Sequence, residues 1–404
     1  MVDLDLIRRL SVKTPSKIVL LTIDGLGGLP DPATGKSELE TANIPNMDKL
    51  ASLGISGMSD PIGPGITPGS APGHLALFGY NPLEFNIGRG VLEAIGIDVE
   101  LQQGDVATRG NFCTLDESGN VTDRRAGRIS TERCIELCEV LSEINIPNVK
   151  VTVHPVREHR FVAVFHGEYL AAEVTESDPQ RTGVPPAEIR PLVHGDSGAI
   201  RLSEIANQFI KEARERLADY HPANMILLRG FSRQPKLPTM QEVYKISPLA
   251  VAIYPMYRGL ARLVGMEVAE AGNTLEEEFE TVKKYYQDYD FFFVHIKGTD
   301  SAGEDGDFSR KCQVLEQVNA ALPVITELKP DVLVITGDHS TPAVVRGHSW
   351  HPVPALIVAE NCRPDAVEDF SERAFLCGGL GRLNATQIIH VTMANAMKLR
   401  KYGA

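Results

Sequence analysis

Four short segments of this chain carry side chains of the kind that bind metal ions and move phosphoryl groups. In residues 337–354 (GDHSTPAVVRGHSWHPVP), Asp338 and His339 are adjacent, and His348 and His351 follow. Imidazole beside carboxylate suits manganese or zinc better than calcium. In residues 297–307 (KGTDSAGEDGD), Asp300 and Glu304 are one helical turn apart, so both could face one ion. Asp24 ends an apolar run and is followed by Gly25. Ser70 lies in residues 63–80 (GPGITPGSAPGHLALFGY), where glycine and proline hold the backbone on a tight path. It precedes residues 74–78, which read as a helix start, and a helix N-terminus favours anions. Taken singly, the pieces have plainer readings: a turn-forming Asp, an N-cap Ser, a solvated acidic loop. Together they supply ligands for two divalent cations with a hydroxyl between them. Two such ions stabilise the attacking and leaving oxygens of an in-line displacement. A coordinated serine also loses its proton more readily, which makes it a nucleophile at neutral pH. The chemistry indicated is phosphoryl transfer with Ser70 as covalent nucleophile.

These segments lie far apart in sequence, so the fold must bring them together. Residues 17–24 (KIVLLTID), 290–295 (DFFFVH), 331–336 (DVLVIT) and 354–359 (PALIVA) read as buried parallel strands. The first three each end at a polar cluster, and active sites of open α/β sheets lie at the carboxyl ends of their strands. Residues 307–328 and 275–286 have helical periodicity. The stretch 99–221 differs. It holds hairpin-like runs at 150–155 and 160–166, helices at 131–144 and 202–220, and a Pro/Gly-rich link at 177–196. We expect it to form a smaller α/β domain inserted in a larger one made of 1–98 and 222–404, with residues 224–228 (NMILL) a strand of the larger.

Bulk properties narrow the function. At 404 residues the chain is long enough for two domains, and 43% hydrophobic with 23% charged residues is globular composition. A net charge of -13 argues against nucleic-acid or anionic-membrane partners but not against a small acidic substrate met by local arginines. No apolar run approaches the ~20 residues of a membrane helix. Residues 1–17 lack the basic-then-apolar layout of a secretory leader, and a cytoplasmic location is expected. The six scattered cysteines read as reduced thiols. No extended apolar surface pattern stands out, so a monomer or small homo-oligomer is expected.

Nearly the whole chain resembles the archaeal-type cofactor-independent phosphoglycerate mutases of the alkaline phosphatase superfamily. The stretches carrying the resemblance are GPGITPGSAPGHLALFGYNP, DRRAGRI, EHRFV, LLRGFSRQPKLP, YRGLARLVGM, KGTDSAG, GDHSTP and HSWHPVP, in that order. The resemblance implies an alkaline-phosphatase-like three-layer α/β sandwich with a largely parallel central sheet. It implies one metal held by Asp24, Asp338 and His339 facing Ser70, and another held by Asp300, residue 304 and His348. The ions would be manganese first, with zinc, cobalt or magnesium as alternatives, and no 2,3-bisphosphoglycerate would be needed. The inserted domain would bind the glycerate end of a phosphoglycerate substrate and close as a lid. Its candidate contacts are Arg124, Arg125, Arg128, His159 and Arg160, with Arg229 and Arg258 at the domain interface and Lys297 at the strand end. Members of the family usually carry histidine where this chain has Glu304, and Asp or Asn where it has His351. The implied reaction interconverts 3-phosphoglycerate and 2-phosphoglycerate through a phosphoserine; a homoserine-kinase-like phosphotransferase or a phosphohydrolase is the alternative.

Overall fold

The computed structural model describes residues 3–85 and 87–403. Among these, thirteen strands follow in order: β1 (Ile18–Ile23), β2 (Ile55–Asp60), β3 (Val106–Leu115), β4 (Val121–Asp123), β5 (Lys150–Arg157), β6 (Arg160–His166), β7 (Met225–Arg233), β8 (Pro248–Ala252), β9 (Glu267–Val268), β10 (Phe291–Ile296), β11 (Val332–Thr336), β12 (Val353–Ala359) and β13 (Gly381–Asn384). The chain divides into two compact units, Met1–Asn86 with Leu237–Ala404, and Ile87–Lys236.

The larger unit is built on an eight-stranded sheet in the order β13-β2-β12-β11-β1-β10-β8-β9. Its strands are parallel except β12, which runs against both β11 and β2. The apolar run at 354–359 is therefore a buried strand, but not a parallel one; burial on both faces gives either direction the same continuous apolar sequence. Every residue of β1, β10 and β11 is buried. On one face, Val19, Leu21, Phe292, Val294, Leu333 and Ile335 share a core with residues of the helices Pro45–Ala51, Leu275–Tyr285 and Phe308–Thr326. On the other, Phe78 sets its ring edge-on to Phe293 at 4.9 Å, and Tyr257 stacks on His295 at 3.6 Å. The helices ending and containing these rings, Ser70–Leu77 and Pro255–Leu263, form part of the third layer.

The smaller unit has a five-stranded antiparallel sheet in which β3 pairs with β4, β6 and β7. The helices Arg89–Gly96, Thr131–Ser142 and Ser197–Leu217 belong to this unit. Strand β7 takes up residues 225–228 of the NMILL run, so that segment completes the smaller sheet instead of resuming the larger one. The unit accordingly begins at 87 and ends at 236, where sequence reading placed its limits at 99 and 221. The Pro/Gly-rich stretch 177–196 is internal to it: Ser177 N–H donates to the Leu228 carbonyl at 2.9 Å. The six cysteines are free thiols, four of them buried. Among the described residues, no helix is long and apolar enough to cross a membrane.

Candidate active site

Strand register aligns the polar ends of the central strands. Thr22 of β1 lies opposite His295 of β10 and Thr336 of β11, so Asp24, Lys297 and Asp338 leave the sheet at one carboxyl edge. Two helices bring the other groups. Ser70 is the first residue of Ser70–Leu77, whose N-cap is Gly69, and Asp300 lies in the first turn of Gly298–Asp305. Each helix carries a glycine three residues after its functional side chain. A Cβ on Gly73 would collide with the Asp338 carbonyl oxygen, and one on Gly303 with that of Thr341. Both helices are thus held against the backbone of the same loop. Gly303→Ala is expected to cost about 1–3 kcal/mol through overpacking, read as a lower thermal midpoint.

The first donor group is fully buried. His339 Nε2 lies 3.2 Å from Ser70 Oγ, 3.3 Å from Asp24 Oδ1 and 3.2 Å from Asp338 Oδ2. The tautomer of His339 follows from its neighbour. Thr341 Oγ1 donates its one proton to Asp300 Oδ1 at 2.8 Å, so at the other 2.8 Å contact it accepts from His339 Nδ1–H. Burial also pulls the ring's pKa down, which leaves Nε2 as a bare lone pair. His74 Nδ1 donates to the Ser70 carbonyl at 2.8 Å, and Asp338 Oδ2, 3.1 Å from that nitrogen, has no hydrogen-bond partner of its own. Asp24 Oδ1 likewise has none. These two carboxylate oxygens and the imidazole lone pair, all buried, converge on one point, a donor set that a cation would complete. Their separations match those of donors around an ion at bond lengths of about 2.0–2.2 Å. Asp24, Asp338 and His339 therefore fit a divalent metal.

A second group consists of Asp300, His339 and His348. His348 Nε2 is 3.5 Å from Asp300 Oδ1 and 3.7 Å from Glu304 Oε1. Its Nδ1 bonds the Pro68 carbonyl at 2.9 Å, and its ring stacks on His339 at 3.6 Å. Glu304, with a side chain 56% exposed, reaches the rim of this group. His351 belongs to neither group among the described residues; its Nδ1 meets Ser349 Oγ at 3.0 Å and its ring stacks on Trp350.

Lys297 stands between the groups, with its ammonium 3.1 Å from Asp24 Oδ2 and 2.5 Å from Asp300 Oδ2. Burial opposes the charge, but these two carboxylates raise its pKa. Two further residues escaped sequence reading. The Tyr257 hydroxyl donates to Asp24 Oδ2, and His295 Nε2 meets the same oxygen at 3.1 Å. Burial would raise the Asp24 pKa, yet the His295 hydrogen bond and the Lys297 charge hold it well below the usual carboxylate range. A histidine inside the otherwise apolar β10 was the available signal for His295.

In the smaller unit, Arg124 forms a bidentate pair with Asp178 at 2.8 and 2.7 Å, and Arg229 lies 3.6 Å from the same carboxylate. Arg125 and Arg128 are exposed, in a loop where Ala126, Gly127 and Arg128 all have positive φ. Asp123 holds that loop by accepting from the Arg125 and Gly127 N–H groups. His159 is buried; burial, then the Arg160 charge, pushes its ring down to about 4, so it is neutral at pH 7. Arg160 Nε is buried without a partner. Two arginines that sequence reading did not single out join this field. Arg109 pairs with Glu93 at 3.1 Å, and Arg89, Arg160 and Arg229 all act on that carboxylate. Arg258, in the larger unit, donates to Glu270 at 2.9 Å.

Fold and site together define an α/β protein with a buried carboxylate–imidazole–serine centre at the carboxyl edge of a mostly parallel sheet. The profile of the 2,3-bisphosphoglycerate-independent phosphoglycerate mutases matches residues 51–224. A Thermosipho africanus protein, named a probable 2,3-bisphosphoglycerate-independent phosphoglycerate mutase, is 49% identical over 391 residues, 96% of each chain. A Thermus thermophilus protein of the same name is 47% identical over 403 residues, 98% of each. Among solved structures, a Pyrococcus horikoshii protein superimposes with a TM-score of 0.83 at 31% identity, covering 97% of this chain and 100% of that one. A cofactor-independent phosphoglycerate mutase from Thermoplasma acidophilum gives 0.72 at 28%, covering 94% and 99%. The chain belongs to the 2,3-bisphosphoglycerate-independent phosphoglycerate mutase family, as its motifs indicated.

Proposed function

We propose that the protein interconverts 3-phosphoglycerate and 2-phosphoglycerate through a phosphoserine at Ser70, without a 2,3-bisphosphoglycerate cofactor. The observation that carries this reading is the convergence of Ser70 Oγ, Asp24 Oδ1 and Asp338 Oδ2 on His339 Nε2 at 3.2–3.3 Å. Asp24, Asp338 and His339 would hold one divalent cation beside Ser70, and Asp300, Glu304 and His348 another. When bound, such ions polarise phosphoryl oxygens and make the serine hydroxyl more acidic.

Ser70 Oγ attacks phosphorus and gives up its proton as the bond from phosphorus to the glycerate oxygen breaks. That oxygen takes up a proton, and glycerate stays bound. Its other hydroxyl then attacks the phosphoserine, which restores Ser70 and completes the isomerisation. The N-terminal position of Ser70 on its helix places the positive end of the dipole toward the transferred group. Lys297 adds a fixed ammonium. The arginine-rich field of the smaller unit recognises the anionic substrate, since guanidinium groups pair with carboxylate and phosphate in bidentate fashion.

Manganese-loaded protein should convert 3-phosphoglycerate to 2-phosphoglycerate with no added bisphosphoglycerate, followed by phosphorus NMR. Acid quenching during turnover should yield a phosphorylated Ser70 peptide by mass spectrometry. Release of inorganic phosphate without 2-phosphoglycerate would identify a phosphohydrolase instead.

A further inference from the structure

A second set of charged side chains in the larger unit, Lys311, Glu38 and Glu372, grips the loops that carry the donor groups. Lys311, on the helix Phe308–Thr326, is fully buried. Its ammonium donates to the Gly27 carbonyl at 3.0 Å and to the Thr341 carbonyl at 2.9 Å. Glu38 Oε1, also fully buried, is 3.8 Å from the ammonium and accepts from Ala343 N–H at 2.8 Å. Glu372 accepts from Gly28 N–H at 2.7 Å and from the Ser37 hydroxyl at 2.6 Å. The loop after β1 is therefore gripped at Gly27 and Gly28, and the loop after β11 at Thr341 and Ala343. The two loops also touch directly, where Thr341 N–H meets the Gly27 carbonyl at 3.1 Å.

We propose that Lys311 is a positioning residue for the metal-binding centre, a buried ammonium that fixes the spacing of the two ligand-bearing loops with Glu38 and Glu372 as its counter-charges. This rests on the metal-dependent reading of the site. The coupling route is short. Asp24 is three residues before Gly27. Thr341 itself holds His339 Nδ1 and Asp300 Oδ1, each at 2.8 Å, so moving its backbone moves a donor of each group. A lysine buried without a water-facing side and satisfied by two backbone carbonyls is costly to keep. A merely apolar core would need no such group at this position. Outer groups that orient ligands in this way typically change metal affinity by about 10–100-fold when removed.

The test compares manganese binding, by electron paramagnetic resonance of the free ion, in the parent, Lys311→Met, and Lys311→Met with Glu38→Gln. The double variant removes one of the two carboxylates that Lys311→Met leaves uncompensated, so it is expected to fold where the single one fails to. Folding is checked by circular dichroism. We expect the double variant to bind manganese at least about 10-fold more weakly, with KM for phosphoglycerate within about threefold of the parent at saturating metal. Glu372→Gln, which keeps shape and removes one counter-charge, should weaken binding in the same direction by a smaller factor. Folded variants whose manganese affinity stays within twofold of the parent would overturn the proposal, even if their melting temperature falls. A parent that binds no manganese would instead remove the metal-dependent reading, and this proposal with it.

Discussion

Ser70→Ala is expected to lower turnover by at least about 10³-fold while leaving fold and metal binding in place. Removal of a covalent nucleophile takes away the step that divides the reaction in two, and a 10³-fold loss corresponds to about 4 kcal/mol of transition-state stabilisation. The structure gives no reason for a stability loss. Ser70 is half-buried, its Oγ contacts His339 Nε2 and caps no helix, and the N-cap is Gly69. Alanine is also a good helix former at this position. The backbone carbonyl that receives the His74 proton is retained. Steady-state assays, a thermal melt and a manganese titration on one preparation separate these effects. A variant with a tenth or more of the parent's turnover, or one that still forms a phosphoprotein at another residue, would remove Ser70 from the nucleophile's role.

The parts of the site legible in the sequence were those that local pattern determines. Strand β1 stops at Ile23, directly before Asp24, because its apolar β-branched run stops there, and β11 stops at Thr336, two residues before Asp338, for the same reason. Asp300 and Glu304 share a helix turn, as their spacing requires. What sequence could not fix was partnership between distant segments. The run at 224–228 has strand character, but only tertiary pairing with β3 decides which sheet receives it. His348 and His351 are equivalent by residue type; the loop's course brings only His348 over His339. Lys311 left a trace that was open to reading. It falls in phase with the buried positions Leu315, Val318, Leu322 and Ile325 of its helix, where a lysine has no place unless the core supplies acceptors. Arg89 and Arg109 left none, since their convergence with Arg160 and Arg229 arises only in the folded unit.

His339→Gln is expected to cost more than the loss of any other single candidate ligand, because among the described residues His339 alone belongs to both donor groups. His348→Ala should weaken one ion and leave the buried group of Asp24, Asp338 and His339 intact. Without the imidazole, the orphaned Asp24 and Asp338 oxygens lose the neutral donor that lies 3.3 and 3.2 Å from them. Two like charges remain, and at about 4 Å their repulsion is roughly 1 kcal/mol in water and several times that in a buried setting. Glutamine keeps a polar side chain near Thr341 but offers an amide in place of the imidazole nitrogen. We expect manganese affinity to fall by more than about 100-fold at both groups, against one group for His348→Ala. Stability supplies an independent readout. An ion at about one hundred times its dissociation constant stabilises the folded state by about 2.7 kcal/mol, so the parent's melting temperature should rise with added manganese. The His339→Gln melt should be insensitive to manganese over the same range, while His348→Ala keeps part of the rise. If His339→Gln still bound two ions with near-parent affinity, His339 would not be the shared ligand, and each group would have to be completed by other donors.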